Sequence, residues 1–294
     1  MKSGFVVLVG RSNVGKSTLL NTLVGTKIAA TSFRAQMTRH IIHGVMNIPD
    51  SPKHPGGQAI FVDTPGIFKD RKNPLTAKLT NKVKDAIEDI DVIIYVVDPT
   101  REIGDEERHI FGLIRHLDIP KILVINKSDL SPRERKYQAD YERWADEFEH
   151  IFRLSALRAS HITPLKEKVI ELLPEGEALY PEEQLTNITN TFWIAEIIRE
   201  KVFSVFDKEV PYSITVEVDD VEQTTFGKDN VPGLRVHAQV LTNEDRYKRI
   251  IIGRGGRKLK EIGQMARKEL EQATNVKVYL ELDVAVDQHW VKRI

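Results

Sequence analysis

Gly10-Arg11-Ser12-Asn13-Val14-Gly15-Lys16-Ser17 is the stretch whose reading decides the fold. It fits G-x-x-x-x-G-K-S and lies between an apolar run, Phe5 to Val9, and a helix-like stretch, Thr18 to Val24. A buried strand, a glycine turn and a helix in that order make a phosphate-binding loop. Gly10 and Gly15 let the backbone close into a ring of inward N–H groups around Arg11, Ser12, Asn13 and Val14, and the following helix adds its positive dipole end. Lys16 can reach the outer phosphates of a nucleotide, Ser17 can ligate Mg²⁺, and Thr18 follows in the first helical turn. Alone, the octet also suits a plain glycine turn with a surface lysine, so the rest of the chain has to decide.

Working outward, residues 1 to about 173 alternate apolar runs with helical patterns. The runs are Phe5 to Val9, Ile41 to Ile48, Ala59 to Val62, Val92 to Val97, Ile122 to Ile125 and Ile151 to Leu154. Amphipathic segments between most of them predict an α/β unit, a largely parallel sheet covered by helices on both faces, with ligand at the carboxyl ends of the strands. Asn47 to Gln58, with Pro49, Pro52, Pro55 and Gly56-Gly57, reads as an exposed hairpin loop without chemistry.

Composition sets wide bounds. The 294 residues suffice for two domains with separate cores. The 43 basic residues balance the 43 acidic ones, so any affinity for nucleic acid has to come from local clustering. The absence of cysteine excludes a disulfide framework, a thiolate metal site and a cysteine nucleophile, and suits the cytosol. No run approaches the eighteen or so apolar residues of a membrane span, and the N-terminal apolar segment is too short for a signal peptide.

Four further segments follow the phosphate loop. Thr38, in the polar stretch Ala29 to His40, can place its hydroxyl on Mg²⁺ and order its loop while the terminal phosphate is present. In Asp63-Thr64-Pro65-Gly66 the carboxylate can hold Mg²⁺ through water, and the Gly66 N–H can approach the γ-phosphate. Asn126-Lys127-Ser128-Asp129 fits N-K-x-D, whose aspartate can accept hydrogen bonds from guanine N1–H and the N2 amino group, a donor pair that adenine lacks. Ser155-Ala156-Leu157 could then offer backbone N–H groups to guanine O6.

With these elements in this order, the unit resembles the translation-factor-related GTPases, over more than half the chain. The resemblance implies GTP hydrolysis supported by Lys16, Thr38, Asp63, Gly66 and a bound Mg²⁺. Small GTPases related to Ras place a water-orienting glutamine just after the D-x-x-G glycine, whereas here Ile67 follows, then Phe68. Turnover is therefore expected to be slow, on the order of 10⁻⁴ to 10⁻² s⁻¹. Asn13 falls where potassium-using members carry an asparagine ligand, and two readings of it stay open, K⁺ binding or a hydrogen bond within its own loop.

Pro174-Glu175-Gly176 closes the first unit, and 174–190 reads as a linker. From 191 onward a helix, Phe192 to Phe206, precedes alternating strands at Ser213 to Val218 and Leu234 to Leu241. Between Arg246 and Lys268 nine basic residues face Glu261 alone. Arg246 to Ile252 reads as a strand leading to Gly253-Arg254-Gly255-Gly256, and Arg257 and Lys258 begin a helix with Leu259, Ile262 and Met265. A G-x-x-G loop before a helix lets backbone pass close to phosphodiesters, and the bases would lie in an apolar groove involving Ile250 and Ile252 or Ile262. A strand over Lys277 to Val284 completes a K-homology-like order.

The whole chain now resembles the bacterial GTPases that carry a C-terminal K-homology domain. Ala195 to Lys201 (A-E-I-I-R-E-K), Pro211-Tyr212-Ser213 and Ile251-Ile252-Gly253 carry that resemblance beyond the GTPase motifs. It implies binding near the 3′ end of 16S ribosomal RNA, a role in assembling the 30S subunit, a monomer, and a cytoplasmic place with peripheral inner-membrane contact. Members of that family usually carry arginine just before the residue matching Phe192, where this chain has Thr191, and they continue further past the residue matching Trp290. The competing reading makes the second domain a protein-docking module on a GTP-dependent scaffold. An ATPase would require Asp129 to be irrelevant.

Overall fold

The computed structural model describes residues 1–31, 40–52, 55–64, 90–207, 209–227 and 229–290. They fall into two units, Met1–Asn187 and Ile188–Ile294.

In the first unit six strands, β1 (Lys2–Val9), β2 (Ile42–Ile48), β3 (Gly57–Asp63), β4 (Val92–Val97), β5 (Lys121–Ile125) and β6 (His150–Arg153), form one sheet in the order β2-β3-β1-β4-β5-β6. All neighbours run parallel except β2 and β3, which form the hairpin expected between Asn47 and Gln58. The runs Val6 to Val9 and Val92 to Val97 are buried on both faces, which is why they read as continuous apolar segments and not as alternations. Helices α1 (Lys16–Val24) and α4 (Thr163–Leu172) cover one face: α1 lies on β2 and β3, and α4 lies on β1 and β3. On the other face Val7, Ile93, Tyr95, Leu123 and Ile125 pack with Ile110 and Ile114 of α2 (Asp105–Ile114) and Tyr141 of α3 (Gln138–Glu142). Phe111 and Trp144 stack at 4.5 Å over that cluster. Parallel strands bring the ends of β1, β4, β5 and β6 to one rim, where Asp63 of β3 also ends.

The stretch 174–187, read above as a connector, is bound along this unit. Gly176 N donates to Met1 O at 2.9 Å, and Val45 N on the free edge of β2 donates to Leu185 O at 2.9 Å. Gln58 is the central fastener. Its buried amide oxygen accepts from Leu179 N (2.8 Å) and Tyr180 N (2.9 Å), and its NH₂ donates to Tyr180 O at 2.8 Å. Asn47 Nδ2 holds Glu182 O at 3.0 Å, and Asn187 Oδ1 accepts from His43 N at 2.9 Å. Polar sequence hid this order, because backbone groups and three polar side chains make most of the attachment.

In the second unit α5 (Asn190–Val205), β7 (Ile214–Phe226), β8 (Val231–Thr242), α6 (Asp245–Ile252), α7 (Arg257–Thr274) and β9 (Lys277–Val286) follow in the order αββααβ. The sheet runs β7-β8-β9, antiparallel and then parallel. Ile262, Ala266 and Leu270 form the buried stripe of α7, which packs on α5 and β9. Within α5, Arg199 Nε donates to Glu196 Oε1 at 2.7 Å, and Lys201 pairs with Glu200 and with Glu269 of α7, so the buried charges of the A-E-I-I-R-E-K segment find partners in the packed unit.

One element departs from the sequence reading. Arg246 to Ile252, expected as a strand, is the helix α6. Ile251 is fully buried and Tyr247 four residues earlier is half-buried, while Arg246, Arg249 and Ile250 face solvent, a helical spacing. Asp245 in the first turn suits the helix dipole, and packing outweighs the strand preference of three consecutive isoleucines.

Candidate nucleotide site and RNA interface

The phosphate loop leaves β1 at Val9 and enters α1 at Lys16. Gly15 has φ 103°, and a Cβ there would lie 2.3 Å from Asn126 Nδ2, so only glycine fits. Lys16 folds back into the loop: its Nζ donates to Gly10 O at 3.0 Å and to Arg11 O at 3.1 Å. Burial pushes its pKa down to about 8, with Asp63 opposing the shift. At the end of β3, Asp63 Oδ2 accepts from Ser17 Oγ at 2.6 Å. Thr64 Oγ1 turns away and donates to Leu8 O at 2.8 Å, clasping β3 to β1.

Asn126 ties two loops together. Its Nδ2 donates to Val14 O at 2.9 Å and its Oδ1 accepts from Ala156 N at 3.0 Å. Ala156 N is thereby committed, and its O accepts from Thr22 Oγ1 at 2.8 Å. Asp129 is exposed, and Ser155 Oγ donates to its Oδ1 at 2.5 Å, while Ser128 N donates to Leu154 O at 3.0 Å. Leu157 is 71% exposed at the rim. Lys127 has φ 61° and reaches across to Asp98 at 2.5 Å.

The structure thus gathers Gly10 to Thr18, Asp63, Thr64, Asn126 to Asp129 and Ser155 to Leu157 on one rim. Thr38, Pro65, Gly66 and Ile67 lie outside the described residues. Arg11 differs in role from its loop neighbours. Its guanidinium pairs with Glu106 at 2.5 Å and Glu107 at 3.2 Å at the start of α2, which fastens the loop sideways. Those carboxylates raise its pKa against the opposing effect of burial, the largest single influence. Asn13 has φ 65° and its Oδ1 accepts from Ser12 Oγ at 3.3 Å. Asp98 escaped the sequence reading, although an aspartate at the end of a buried strand, like Asp63, was the available signal.

The oxygens of Ser17 and Asp63 suit a hard divalent cation such as Mg²⁺, being close together at the mouth of the loop. Among the described residues no cluster of three or more acidic or histidine side chains forms a metal site of the chain's own. Further ligands would have to come from nucleotide, water or residues elsewhere.

In the second unit, Gly253, Gly255 and Gly256 have φ of 70°, 62° and 75° in the turn between α6 and α7. Arg254, Arg257 and Lys260 are exposed there, while Lys258 pairs with Glu261 at 2.9 Å. Beside the turn lies a cleft of about 420 Å³ with Leu259, Gly263, Leu280 and Leu282 in its lining and Lys260 and Arg267 among its polar groups. This cleft is made by α7 and β9 with the end of the turn. Ile262, one of the isoleucines expected to line it, is fully buried in the core instead, because it faces inward with Ala266 and Leu270. Ile250 and Ile252, carried on α6, are not among the residues lining this cleft. Thr191, standing where an arginine was expected, lies at the exposed start of α5, its hydroxyl 2.9 Å from that of Thr189. Thr189 caps the helix by accepting from Phe192 N at 3.2 Å.

Fold and site together define a phosphate-loop GTPase joined to a K-homology unit. Residues 5–127 match the family described as 50S ribosome-binding GTPase, and residues 209–291 match the KH domain family. GTPase Era of Halothermothrix orenii is 38% identical over 291 residues, 98% of this chain and 94% of that protein. GTPase Era of Lactobacillus delbrueckii subsp. bulgaricus is 39% identical over 290 residues, 98% and 92% of the two chains. Among solved structures, Era in complex with MgGDPNP and nucleotides 1506–1542 of 16S ribosomal RNA superposes with a TM-score of 0.87 at 36% identity, over 100% of this chain and 96% of that one. A variant of Aquifex aeolicus Era bound to GDP and AlF₄⁻ gives 0.87 at 37% identity over the same shares. The chain belongs to the Era family of GTPases, and it is a GTP-hydrolysing enzyme.

Proposed function

We propose that the chain is a GTP-driven switch that binds 16S ribosomal RNA near its 3′ end through the α6–α7 turn and acts in assembly of the 30S subunit. The observation that carries this reading is that the chain has both a rim joining the phosphate loop, Asp63, Asn126 to Asp129 and Ser155, and a basic glycine turn beside an apolar cleft. A relative that superposes over the whole of this chain was solved with both MgGDPNP and nucleotides 1506–1542 of 16S ribosomal RNA.

In this account the Lys16 ammonium exchanges its two carbonyl partners for phosphate oxygens, and the loop N–H groups hold the remainder of the triphosphate. Mg²⁺, held by Ser17 and Thr38 and through water by Asp63, would neutralise charge on the β- and γ-phosphates. Asp129 orients guanine, with Ser155 fixing one of its oxygens. The Gly66 N–H steadies the γ-phosphate, and no glutamine follows it to orient water, so intrinsic hydrolysis is slow. K⁺ at Asn13 would add charge stabilisation.

At the second unit, Arg254, Arg257 and Lys258 approach phosphodiesters while Gly253, Gly255 and Gly256 let the backbone come close, with Ile252 leading into the turn. Bases enter the cleft lined by Leu259, Leu280 and Leu282. GTP orders the loop bearing Thr38, and this alters how RNA is engaged. The chain works as a cytoplasmic monomer with peripheral contact at the inner membrane. No helix among the described residues is long and apolar enough to cross a membrane.

Asp129→Asn tests the guanine assignment. An amide offers one acceptor and one donor, so GTP affinity falls by about 10²- to 10³-fold and xanthosine triphosphate, with a carbonyl at C2, becomes the better ligand. Retained guanine selectivity would refute the assignment.

A further inference from the structure

Asp98 follows β4 and takes no part in the chemistry above, yet its side chain is only 1% exposed and donors meet both of its oxygens. Thr100 N and Oγ1 donate to Oδ1 at 3.0 and 2.8 Å. Lys127 Nζ donates to Oδ2 at 2.5 Å, with Arg101 Nε 3.8 Å from the same oxygen. A carboxylate that served only its own turn would be satisfied by Thr100. Here the second oxygen is given to the lysine of N-K-x-D, just past the end of the neighbouring strand.

The consequence lies in the shape of Lys127. Its backbone is in the left-handed region, uncommon for a residue with a Cβ, between Asn126, which is bonded to the phosphate loop, and the exposed Asp129. Its ammonium is anchored one strand away, where Val97 and Ile125 are paired neighbours. The side chain is 33% exposed while its ammonium is bonded to the buried Asp98, so a stem with an anchored head stands at the rim. Such a stem is an apolar surface with its charge tucked beneath, suited to the flat face of a purine. Arg101 extends the link, its Nη1 lying 3.4 Å from Ser12 O of the phosphate loop.

We propose that Asp98 is a positioning residue for guanine-nucleotide binding, holding the Lys127 ammonium so that the lysine stem is fixed as a platform for the base. The proposal rests on the assignment of Asn126 to Asp129 to guanine.

The experiment measures GDP affinity and steady-state GTP hydrolysis for Asp98→Asn, Lys127→Met and the double variant. Asparagine keeps the acceptor for Thr100 and removes the charge that holds Lys127. Each single variant weakens GDP binding and raises KM about tenfold or more, with kcat at saturation within about twofold, and the double variant is no weaker than Lys127→Met alone. If Lys127→Met weakens binding but Asp98→Asn does not, or if the two losses multiply in the double variant, Asp98 has no such role while the base assignment stands. If Lys127→Met binds GDP as the parent does, the lysine assignment fails and the proposal with it. Thr100→Val removes a donor to Asp98 without touching Lys127 and leaves GDP affinity within about threefold; a loss as large as that of Asp98→Asn would assign Asp98 to its turn and overturn the proposal. Should Asp98→Asn not fold, Lys127→Arg is read in its place. Its larger planar head shifts the stem from the position that the single-oxygen contact sets and weakens GDP binding about tenfold, whereas unchanged affinity overturns the proposal.

Discussion

The two glycine loops of this chain are held in opposite ways. Around the phosphate loop nearly every polar group has a partner from another strand end: Ser17 with Asp63, Asn126 with Val14 and Ala156, Asp129 with Ser155, Lys127 with Asp98. At the α6–α7 turn the backbone alone sets the shape, and Arg254, Arg257 and Lys260 extend into solvent. A site that must place one small ligand to within fractions of an ångström needs cross-linked donors. A site that grips a charged polymer needs closeness and charge, each contact acting nearly independently. Changes at the first loop should therefore be abrupt and coupled, and those at the second graded and sensitive to salt.

The largest expected effect breaks the first half of that comparison. Lys16→Met lowers kcat/KM for GTP by at least about 10²- to 10³-fold, the scale for loss of a transition-state donor, as steady-state hydrolysis will show. Because the folded pKa of Lys16 is lowered to about 8 from 10.5, the unliganded protein gains stability as pH rises from 8 toward 10.5, where the unfolded chain still holds the proton that the folded chain has released. Nucleotide phosphates favour the charged lysine, so GDP affinity falls above pH 8 by up to about tenfold per unit. Calorimetric titration across that range checks the sign, and Lys16→Met should show neither trend.

A smaller effect sharpens the second half. Gly255 has φ 62°, so Gly255→Asp adds backbone strain of about 1 kcal/mol and places a negative charge among basic groups. RNA affinity should fall about 10- to 100-fold while GDP affinity stays unchanged, as read by filter binding with RNA and fluorescence with labelled GDP. The smallest effect concerns neither loop. Gln58→Leu strands three backbone groups of the 174–187 segment, which can lift off and rehydrate, so the first unit loses about 1–2 kcal/mol in denaturant unfolding and hydrolyses GTP normally.

The comparison also explains what the sequence revealed. Strands buried on both faces made Phe5 to Val9 and Val92 to Val97 plain, and the motif residues of the nucleotide rim occur in a fixed order that survives folding. What stayed hidden depended on contacts across the fold. Asp98 matters through a partner 29 residues away, Arg11 through α2, and Gln58 through backbone groups more than 120 residues on. The basic turn was legible as charge and glycine, but α6 was read as a strand because three isoleucines favour one locally and burial of Tyr247 and Ile251 decides otherwise.

The central claim is that guanine nucleotide governs how the basic turn holds RNA. Its most direct test is titration of a single-stranded RNA carrying the 3′-terminal 16S sequence against the protein in GDP and in a non-hydrolysable GTP analogue, at several salt concentrations. Binding is expected to be tighter with the GTP analogue, with a log-log salt slope of about −0.7 per phosphate contact. Equal affinity in both nucleotide states would contradict the switch, and binding absent or indifferent to salt would contradict the RNA assignment and favour a protein-docking second unit.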